Sequence, residues 1–307
     1  MSEELIPFLP IEDLQPVYCV SAFSETMDWG LVAAGIPEVH KRTRGTGIKI
    51  AVLDTGAPNH MDLNTNLLPP INCSRSATVF DGNGHQTHVS GIIAAVANGF
   101  GIIGVAPEAK ILSIKVLDDS GHSGYEEIAA GIREAVNAGV DIINMSLGAP
   151  VEPPQCLYDA IKLAASKGII IISAAGNDAG AVNWPARYDE VIAVAAIDKN
   201  GAMASFSSHG PKVAVEAPGV DIFSTYLNGQ YALMCGTSQA SPFVAGICAL
   251  LLAWQRSNPS IPPINGVQDM LQRLDDLCDP SGRLGFQGKM GDIGFGIPSF
   301  INHMPWK

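Results

Sequence analysis

Short runs of apolar residues alternate along the chain with stretches whose apolar positions recur at helical spacing. The apolar runs that predict buried strands cover residues 48–53, 111–117, 140–145, 169–174 and 191–196. The helices predicted between them cover residues 89–97, about 125–138 and about 156–167. Strands that alternate with helices favour a parallel sheet covered on both faces. The pattern predicts an α/β fold, a three-layer sandwich with a mostly parallel central sheet flanked by helices.

The later part of the chain adds two strands and two helices to this pattern. Residues 213–217 and 222–225 are short runs of β character, and Gly229 marks a hairpin turn. A strongly apolar helix is predicted after Gly236, and a last helix near residues 264–277.

The first 20 residues differ from the rest of the chain. They contain Pro7, Pro10 and Pro16, which disfavour a regular helix, and their apolar residues are interleaved with acids. We interpret residues 1–20 as an extended arm that lies against another part of the molecule. No later stretch has the composition of a linker, so residues 21–307 are predicted to form one domain.

Composition and charge exclude several classes of protein. Hydrophobic residues make up 47% of the 307 residues and charged residues 16%, which excludes a disordered chain. The 18 basic and 30 acidic side chains give a formal net charge of −12. Such an acidic protein is not expected to bind nucleic-acid phosphates or anionic lipid. The longest apolar run, residues 247–254, is shorter than the roughly 20 residues that a membrane span requires.

The N-terminal segment and the cysteines bear on the location of the protein. The first 30 residues contain several acids and no basic region of the kind that begins a secretory signal. The six cysteines form no CxxC pair and are scattered through the chain, so we expect reduced thiols. We therefore predict a cytoplasmic protein.

Candidate catalytic groups follow two of the predicted elements. Asp54 ends the first strand, next to Gly56, and the carboxyl ends of strands are where sites form in open α/β sheets. His85 and His88 begin a helix and lie on one face of it. Taken alone, the aspartate can equally belong to a turn and the histidines can be structural. A metal pair would lack a third ligand at a recognised spacing.

Two further fragments offer a nucleophile and a hydrogen-bond donor. Ser238 begins the apolar helix, where the positive end of the helix dipole stabilises a developing oxyanion. Asn177 follows the strand at residues 169–174, and its amide can donate to such an oxyanion. Taken alone, the serine can be an N-cap and the asparagine a turn residue. Taken together, the acid, the imidazole and the hydroxyl are the groups that acyl transfer requires.

Five fragments follow one another along the chain: VLDTG at 52–56, HQTHVSG at 85–91, NMSLG at 144–148, AAGN at 174–177 and GTSQASP at 236–242. In this order they resemble the motifs of a known family, the subtilisin-like serine proteases. The resemblance covers roughly residues 25–305. It implies an endopeptidase that hydrolyses peptide bonds through an acyl-enzyme, with broad specificity and an apolar preference.

The resemblance also implies a role for each site residue. Asp54 would be the orienting acid, His85 the general base and Ser238 the nucleophile. Asn177 would complete the oxyanion hole, and His88 would be structural. The residues that would hold a protein or peptide substrate are Gly124, Tyr125, Ser146, Leu147 and Gly148.

The family binds calcium in a loop after the helix that carries the general base. The ligands that the resemblance implies here are Glu25, Asp62, Val96, Asn98, Phe100 and Ile102. Side-chain and carbonyl oxygens of this kind suit calcium. The alternative is a glycine-rich turn exposed to solvent.

The N-terminal arm refines the resemblance. The fragment Leu5-Ile6-Pro7-Phe8 is similar to the short extension of the intracellular subtilisins, which folds back over the cleft and is later removed. A zymogen inhibited by its own residues 1–20 is therefore implied, and the same subgroup suggests a homodimer.

Three positions depart from the family pattern without removing a member of the triad. Gln86 replaces the glycine that usually follows the general base. Gln239 replaces a methionine after the nucleophile, and Phe243 replaces a common histidine. Two other functions stay open: a non-catalytic binding protein with the same fold, and a peptide ligase or macrocyclase that uses the same acyl-enzyme.

Overall fold

The computed structural model of the chain describes residues 5–8, 24–278 and 298–300. Its strands, in chain order, are β1 (Ile6–Pro7), β2 (Lys49–Asp54), β3 (Ile71–Asn72), β4 (Lys110–Lys115), β5 (His122–Ser123), β6 (Ile142–Met145), β7 (Ile170–Ala174), β8 (Ile192–Ile197), β9 (Val215–Pro218), β10 (Ile222–Thr225) and β11 (Tyr231–Met234). Its helices are α1 (Trp29–Ala33), α2 (Ile36–Val39), α3 (His85–Ala94), α4 (Tyr125–Asn137), α5 (Gln155–Ser166), α6 (Thr237–Ser257) and α7 (Val267–Leu277), with a short 3₁₀ turn at Leu227–Gly229.

Seven strands form one parallel sheet in the spatial order β3-β4-β2-β6-β7-β8-β9. Every residue of β6, β7 and β8 is buried, which explains why these strands are continuous apolar runs in the sequence. One hydrophobic core lies between the sheet and helices α3 and α6, and a second lies between the sheet and helices α4 and α5. The predicted three-layer α/β sandwich is confirmed.

Helix α3 differs most from its predicted boundaries. It begins at His85, four residues before the predicted start at residue 89, and ends at Ala94. All ten of its residues are buried, the polar first turn included. One reason is the close approach of β10: a Cβ on Gly91 would lie 2.2 Å from the hydroxyl oxygen of Thr225. A buried polar turn has no apolar periodicity, so the pattern places the start too late.

Helix α6 is longer than the apolar run within it suggests. It has 21 residues, and the mean hydropathy of its most apolar 18-residue window is 1.3. Length and composition alone would allow such a helix to cross a membrane, which the run at residues 247–254 does not indicate. However, 94% of this window is buried inside the fold. Packing against the sheet accounts for its apolar composition.

Two small antiparallel pairs complete the described fold. Strands β10 and β11 form a hairpin ahead of α6. Strand β1 pairs with β5, with Ile6 opposite Ser123 and Pro7 opposite His122. The described part of the N-terminal arm thus lies against the body of the molecule. The rest of the predicted arm, residues 1–4 and 9–20, lies outside the described residues.

Candidate active site

The carboxyl end of β2 and the first turn of α3 bring Asp54 and His85 together. The Nδ1 atom of His85 lies 2.8 Å from Oδ1 and 2.9 Å from Oδ2 of Asp54. Burial lowers the pKa of His85, but the charge and hydrogen bond of Asp54, with the charge of Asp81, outweigh it and raise this pKa. Because Asp54 accepts from Nδ1–H, Nε2 is the nitrogen that can take a proton.

Ser238 is the second residue of α6 and is 6% exposed. Its hydroxyl donates to the carbonyl of Ser146 at 3.1 Å. No hydrogen bond from this hydroxyl to His85 is recorded among the described residues. In serine hydrolases this contact often tightens only when substrate is bound. Helices α3 and α6, which carry His85 and Ser238, pack against each other. The hydroxyl would have to rotate toward His85 before the imidazole could take its proton.

A proline in α6 leaves the carbonyl of Ser238 available to a donor outside the helix. Pro242 has no N–H, so it cannot donate to the carbonyl of Ser238 four residues earlier. The hydroxyl of Ser146 donates to that carbonyl instead, at 2.8 Å. The carbonyl of Ser238, to which Pro242 cannot donate, is thus bonded to Ser146, the residue that directly follows β6.

Asn177 is oriented by the residue before the nucleophile. Its Oδ1 accepts from the backbone N–H and from the hydroxyl of Thr237, both at 2.9 Å. The Nδ2 atom therefore points away from those donors, and a Cβ on Gly236 would lie 3.3 Å from it. Asn177 and Ser238 line the same cavity. The amide can donate to an oxyanion that forms beside Ser238.

The cavity beside Ser238 has a volume of about 260 Å³ and is lined by both apolar and polar residues. Leu147 and Gly148 line one part of it, and Asp178 and Asn183 line another. The Nδ2 atom of Asn183 donates to Oδ2 of Asp178 at 2.6 Å. Sequence reasoning missed this polar wall, although Asp178 directly follows the predicted oxyanion donor.

The described part of the N-terminal arm occupies the same cleft. The backbone N–H of Phe8 donates to Gly121 at 3.1 Å, and its carbonyl accepts from Gly148 at 3.3 Å. The Phe8 side chain is 2% exposed and packs edge-on against Tyr125, with ring centroids 5.4 Å apart. Pro7 and Phe8 also line the cavity described above. The arm thus makes contacts that an extended peptide would make.

The other residues predicted to bind substrate contact Phe8, line the cavity or lie next to residues that do. Tyr125 and Gly148 contact Phe8, and Leu147 lines the cavity. Ser146 exchanges hydrogen bonds with Ser238. Gly124 directly precedes α4, and its carbonyl accepts from the hydroxyl of Ser123 at 3.0 Å. The structure brings four of the five predicted residues to one cleft or its rim, and Gly124 lies next to Tyr125 at the start of α4.

His88 is fully buried and has a structural role. Its Nε2 lies 3.1 Å from the carbonyls of both Ile222 and Ala232. Burial is the main cause that lowers the pKa of His88 to about 3. The neutral imidazole therefore links α3 to the β10–β11 hairpin.

Lys115 is a buried residue of the site that sequence reasoning missed. Its side chain is fully buried, and Nζ donates to the carbonyl of Thr55 and to Asp119, the latter at 2.6 Å. In the parallel register, Lys115 lies opposite Asp54. A lysine within the apolar run at residues 111–117 was the available signal. It braces the turn that follows Asp54.

The six residues predicted to bind calcium gather around the loop after α3. The fully buried Asp62 accepts through Oδ2 from the N–H of Ile102 at 3.0 Å and from the hydroxyl of Tyr231 at 2.7 Å. Its Oδ1 accepts from the amide of Asn98 at 3.0 Å. No basic side chain of the described residues forms an ion pair with Asp62.

Other donors and acceptors close the same loop. Glu25 accepts from the N–H groups of Asn98 and Gly99 at 2.8 and 3.1 Å. The N–H of Val96 donates to the Asp62 carbonyl, and that of Phe100 to the side chain of Asn98. The described residues contain no group of three or more His, Cys, Asp or Glu placed to hold a metal. A cation here would combine the carboxylates of Glu25 and Asp62 with amide and carbonyl oxygens, a donor set that suits calcium.

Comparison with known proteins agrees with this geometry. The model of the subtilase family matches residues 45–273. The chain is 42% identical over 243 residues to M-protease of Shouchella clausii (strain KSM-K16), covering 78% of this chain and 63% of that protein. It is 42% identical over 239 residues to subtilisin Savinase of Lederbergia lenta, covering 77% and 87%. It is 38% identical over 277 residues to minor extracellular protease Epr of Bacillus subtilis (strain 168), covering 88% and 40%.

Coverage differs among these relatives, since the chain spans less than two thirds of M-protease and most of Savinase. The family match nevertheless includes all seven strands of the parallel sheet and helices α3 and α6. With this match and these identities, the chain belongs to the subtilase family.

Proposed function

We propose that the chain is a serine endopeptidase that cleaves proteins or peptides through an acyl-enzyme on Ser238. The observation that carries the proposal is the buried contact of 2.8 Å between His85 and Asp54, with Ser238 in the first turn of α6, the helix that packs against α3. Membership of the subtilase family supports it.

The reaction follows from the positions of these groups. Oγ of Ser238 attacks the substrate carbonyl carbon while Nε2 of His85 takes the hydroxyl proton. The oxyanion accepts from Nδ2 of Asn177 and from the backbone N–H of Ser238. The C–N bond then breaks, and the leaving amine takes the proton from His85. Water attacks the ester in the same way, which releases the acid and restores Ser238.

Substrate binding aligns the nucleophile in this proposal. The Ser146 carbonyl accepts from the Ser238 hydroxyl at 3.1 Å. A substrate that pairs as a strand with residues 146–148 brings its own N–H to that carbonyl. The hydroxyl is then free to rotate toward His85.

Hydrolysis of internally quenched peptides tests the proposal. Ser238→Ala is expected to abolish turnover, while Ser257→Ala, a serine at the far end of the same helix, retains it. Equal rates for wild type and Ser238→Ala would contradict the proposal. Acyl transfer to an added amine without hydrolysis would instead indicate a ligase, and inert protein a binding function.

We also propose that residues 1–20 inhibit the enzyme as a zymogen segment. The support is the burial of Phe8 against Tyr125 and its backbone bonds to both sides of the cleft. Phe8→Ala removes this anchor and is expected to raise the peptidase rate. Leu5→Ala, at a residue that is 38% exposed, is the matched control with little effect. An unchanged rate in Phe8→Ala would refute the inhibitory role.

Calcium is proposed as a structural ion at the loop after α3. The residues that would hold it are Glu25, Asp62, Val96, Asn98, Phe100 and Ile102. Bound there, the ion supplies positive charge to a buried carboxylate that has no ion-pair partner among the described residues. Calcium is expected to raise the Tm of wild type but not of Asp62→Asn. A Tm that chelators leave unchanged would contradict the site.

We propose a reducing, cytoplasmic location for the protein. The support is that Cys73, Cys248 and Cys278 are free thiols within the described part of the chain. One relative is named minor extracellular protease Epr. Cell fractionation tests the location, and recovery in the culture medium would contradict it. The homodimer remains a prediction for gel filtration.

A further inference from the structure

The glutamine after the general base is bonded to the turn that follows the catalytic aspartate. The side chain of Gln86 is fully buried, and its Oε1 accepts from the N–H of Gly56 at 2.8 Å. Its own backbone N–H donates to Oγ1 of Thr55 at 3.1 Å. Two hydrogen bonds therefore join this residue of α3 to the end of β2, beside the contact between Asp54 and His85.

The turn that Gln86 holds determines where the carboxylate lies. The N–H of Thr55 donates to Oδ1 of Asp54 at 2.7 Å. Gly56 has φ +129°, and a Cβ there would lie 2.7 Å from the carbonyl oxygens of residues 79–80. The turn is thus packed closely against that segment and bonded to Gln86. A shift of Gly56 would carry Thr55 and the Asp54 carboxylate with it.

The other end of the Gln86 amide indicates that stability alone does not explain this residue. Its Nε2 is buried and has no hydrogen-bond partner among the described residues. An unpaired buried amide nitrogen costs free energy that a methionine of similar length would not. Departures from local rules of this kind are typical of functional sites. The benefit here is the acceptor that Oε1 offers to Gly56.

We propose that Gln86 is a positioning residue, whose bond to Gly56 fixes the distance and angle between Asp54 and His85. It does not touch the reacting atoms, so it acts through the aspartate. The kinetic part of the proposal rests on the proposed function. The geometric part concerns the hydrogen bond between Asp54 and His85 and can be measured without turnover.

The experiment uses the full chain carrying Phe8→Ala, with and without Gln86→Met. Methionine keeps the length and burial of the side chain and removes the acceptor. The expected result is a fall in kcat of about 10- to 100-fold, with KM nearly unchanged, because misplaced groups cost turnover rather than binding. The downfield proton resonance of His85 Nδ1–H is expected to shift or broaden.

Gln86→Glu provides the conservative rescue. It keeps an acceptor for Gly56, so the proton resonance and much of kcat should return. Its added negative charge near Asp54 and His85 should move the acid limb of kcat/KM to higher pH. A residue that only fills space would lose no kcat in Gln86→Met, so Gln86→Glu would have nothing to restore; the shift of the acid limb reports only that the added charge lies near His85.

Asn66→Leu is the matched control, since its buried amide donates to the carbonyls of Ala94 and Pro107 away from the site. It should lower the Tm and leave kcat and the proton resonance unchanged. If Gln86→Met lowers only the Tm and leaves kcat and the proton resonance as in the chain without this change, the proposal is overturned. A perturbed resonance in a chain that hydrolyses nothing would refute the proposed function and leave the positioning role standing.

Discussion

At the scale of single residues, the proposed mechanism makes the pH range of activity depend on the charge state of His85. His85 must be neutral to act as a base, and Asp54 raises its pKa above the ordinary value of 6.5. Activity should therefore rise with pH through this raised pKa. Asp54→Asn is expected to move the acid limb of kcat/KM to lower pH and to reduce kcat by about 10⁴-fold, the size known for a triad aspartate. An acid limb that stays in place would contradict the role of Asp54.

A second prediction at this scale concerns the residue before the cleaved bond. One oxygen of Asp178 is bonded to Asn183, and the other can accept from a cationic substrate side chain in the cavity. In Asp178→Asn, the ratio of kcat/KM for Lys over Phe at that position should fall by up to about fivefold, as expected for an exposed ion pair. Asp189→Asn, at a residue paired with Lys212 elsewhere, is the control with an unchanged ratio.

Motif residues and packing residues differ in how far the sequence predicts them. Asp54, His85 and Ser238 lie in short fragments whose order is typical of a family, so the sequence identifies them. Lys115 and Asn183 have no such fragment. Their contacts depend on strand register and on a loop that folds back, which local patterns do not encode.

At the scale of elements, burial on both faces made the central strands predictable. Strands β6, β7 and β8 are apolar throughout because helices cover both sides of the sheet. The two-residue strands β1, β3 and β5 are too short to show a pattern. The apolar pattern starts α3 too late because its first turn is polar and yet buried, although the histidine fragment was predicted to begin a helix.

The close approach of α6 to a neighbouring loop gives a prediction at this scale. A Cβ on Gly246 would lie 2.5 Å from the Cβ of Val105. Gly246→Ala should therefore lower the free energy of unfolding by about 1–3 kcal/mol, although alanine is the better helix former.

Urea denaturation measures this difference. Gly180→Ala is the control, since the nearest atom to its Cβ would be 3.6 Å away. Its free energy of unfolding should change by less than about 0.5 kcal/mol. A Gly246→Ala variant as stable as wild type would show that α6 can move away from Val105.

At the scale of the whole molecule, one buried carboxyl should govern stability at alkaline pH. Glu216 in β9 is 0% exposed, and neither oxygen has a hydrogen-bond partner among the described residues. Burial raises its pKa from 4.5 to about 8. Its contribution to stability is fully present below pH 4.5 and is lost as the pH rises through about 8, because the folded state binds a proton that the unfolded state releases.

Glu216→Gln removes this titration. Its Tm should exceed that of wild type at pH 9, and the difference should shrink or reverse at pH 5. Thermal unfolding at both pH values measures this. If the Tm of wild type falls no more than that of the variant between pH 5 and pH 9, Glu216 is not the group whose titration lowers stability.

The overall architecture was predictable from the sequence, but the place of the arm was not. Alternating strands and helices specify the layers, and the two cores confirm them. The arm reaches the cleft through contacts of Phe8 with residues more than a hundred positions away, such as Tyr125 and Gly148. Its prolines indicate only that it is extended.

The central claim is that Ser238 is an activated nucleophile. Labelling of the full chain carrying Phe8→Ala with a fluorophosphonate, followed by peptide mapping, tests it most directly. One adduct is expected on Ser238, strongly reduced by His85→Ala and abolished by Ser238→Ala. A folded Phe8→Ala chain that takes up no label would show that Ser238 is not activated, and would contradict the account of this subtilase as a peptidase.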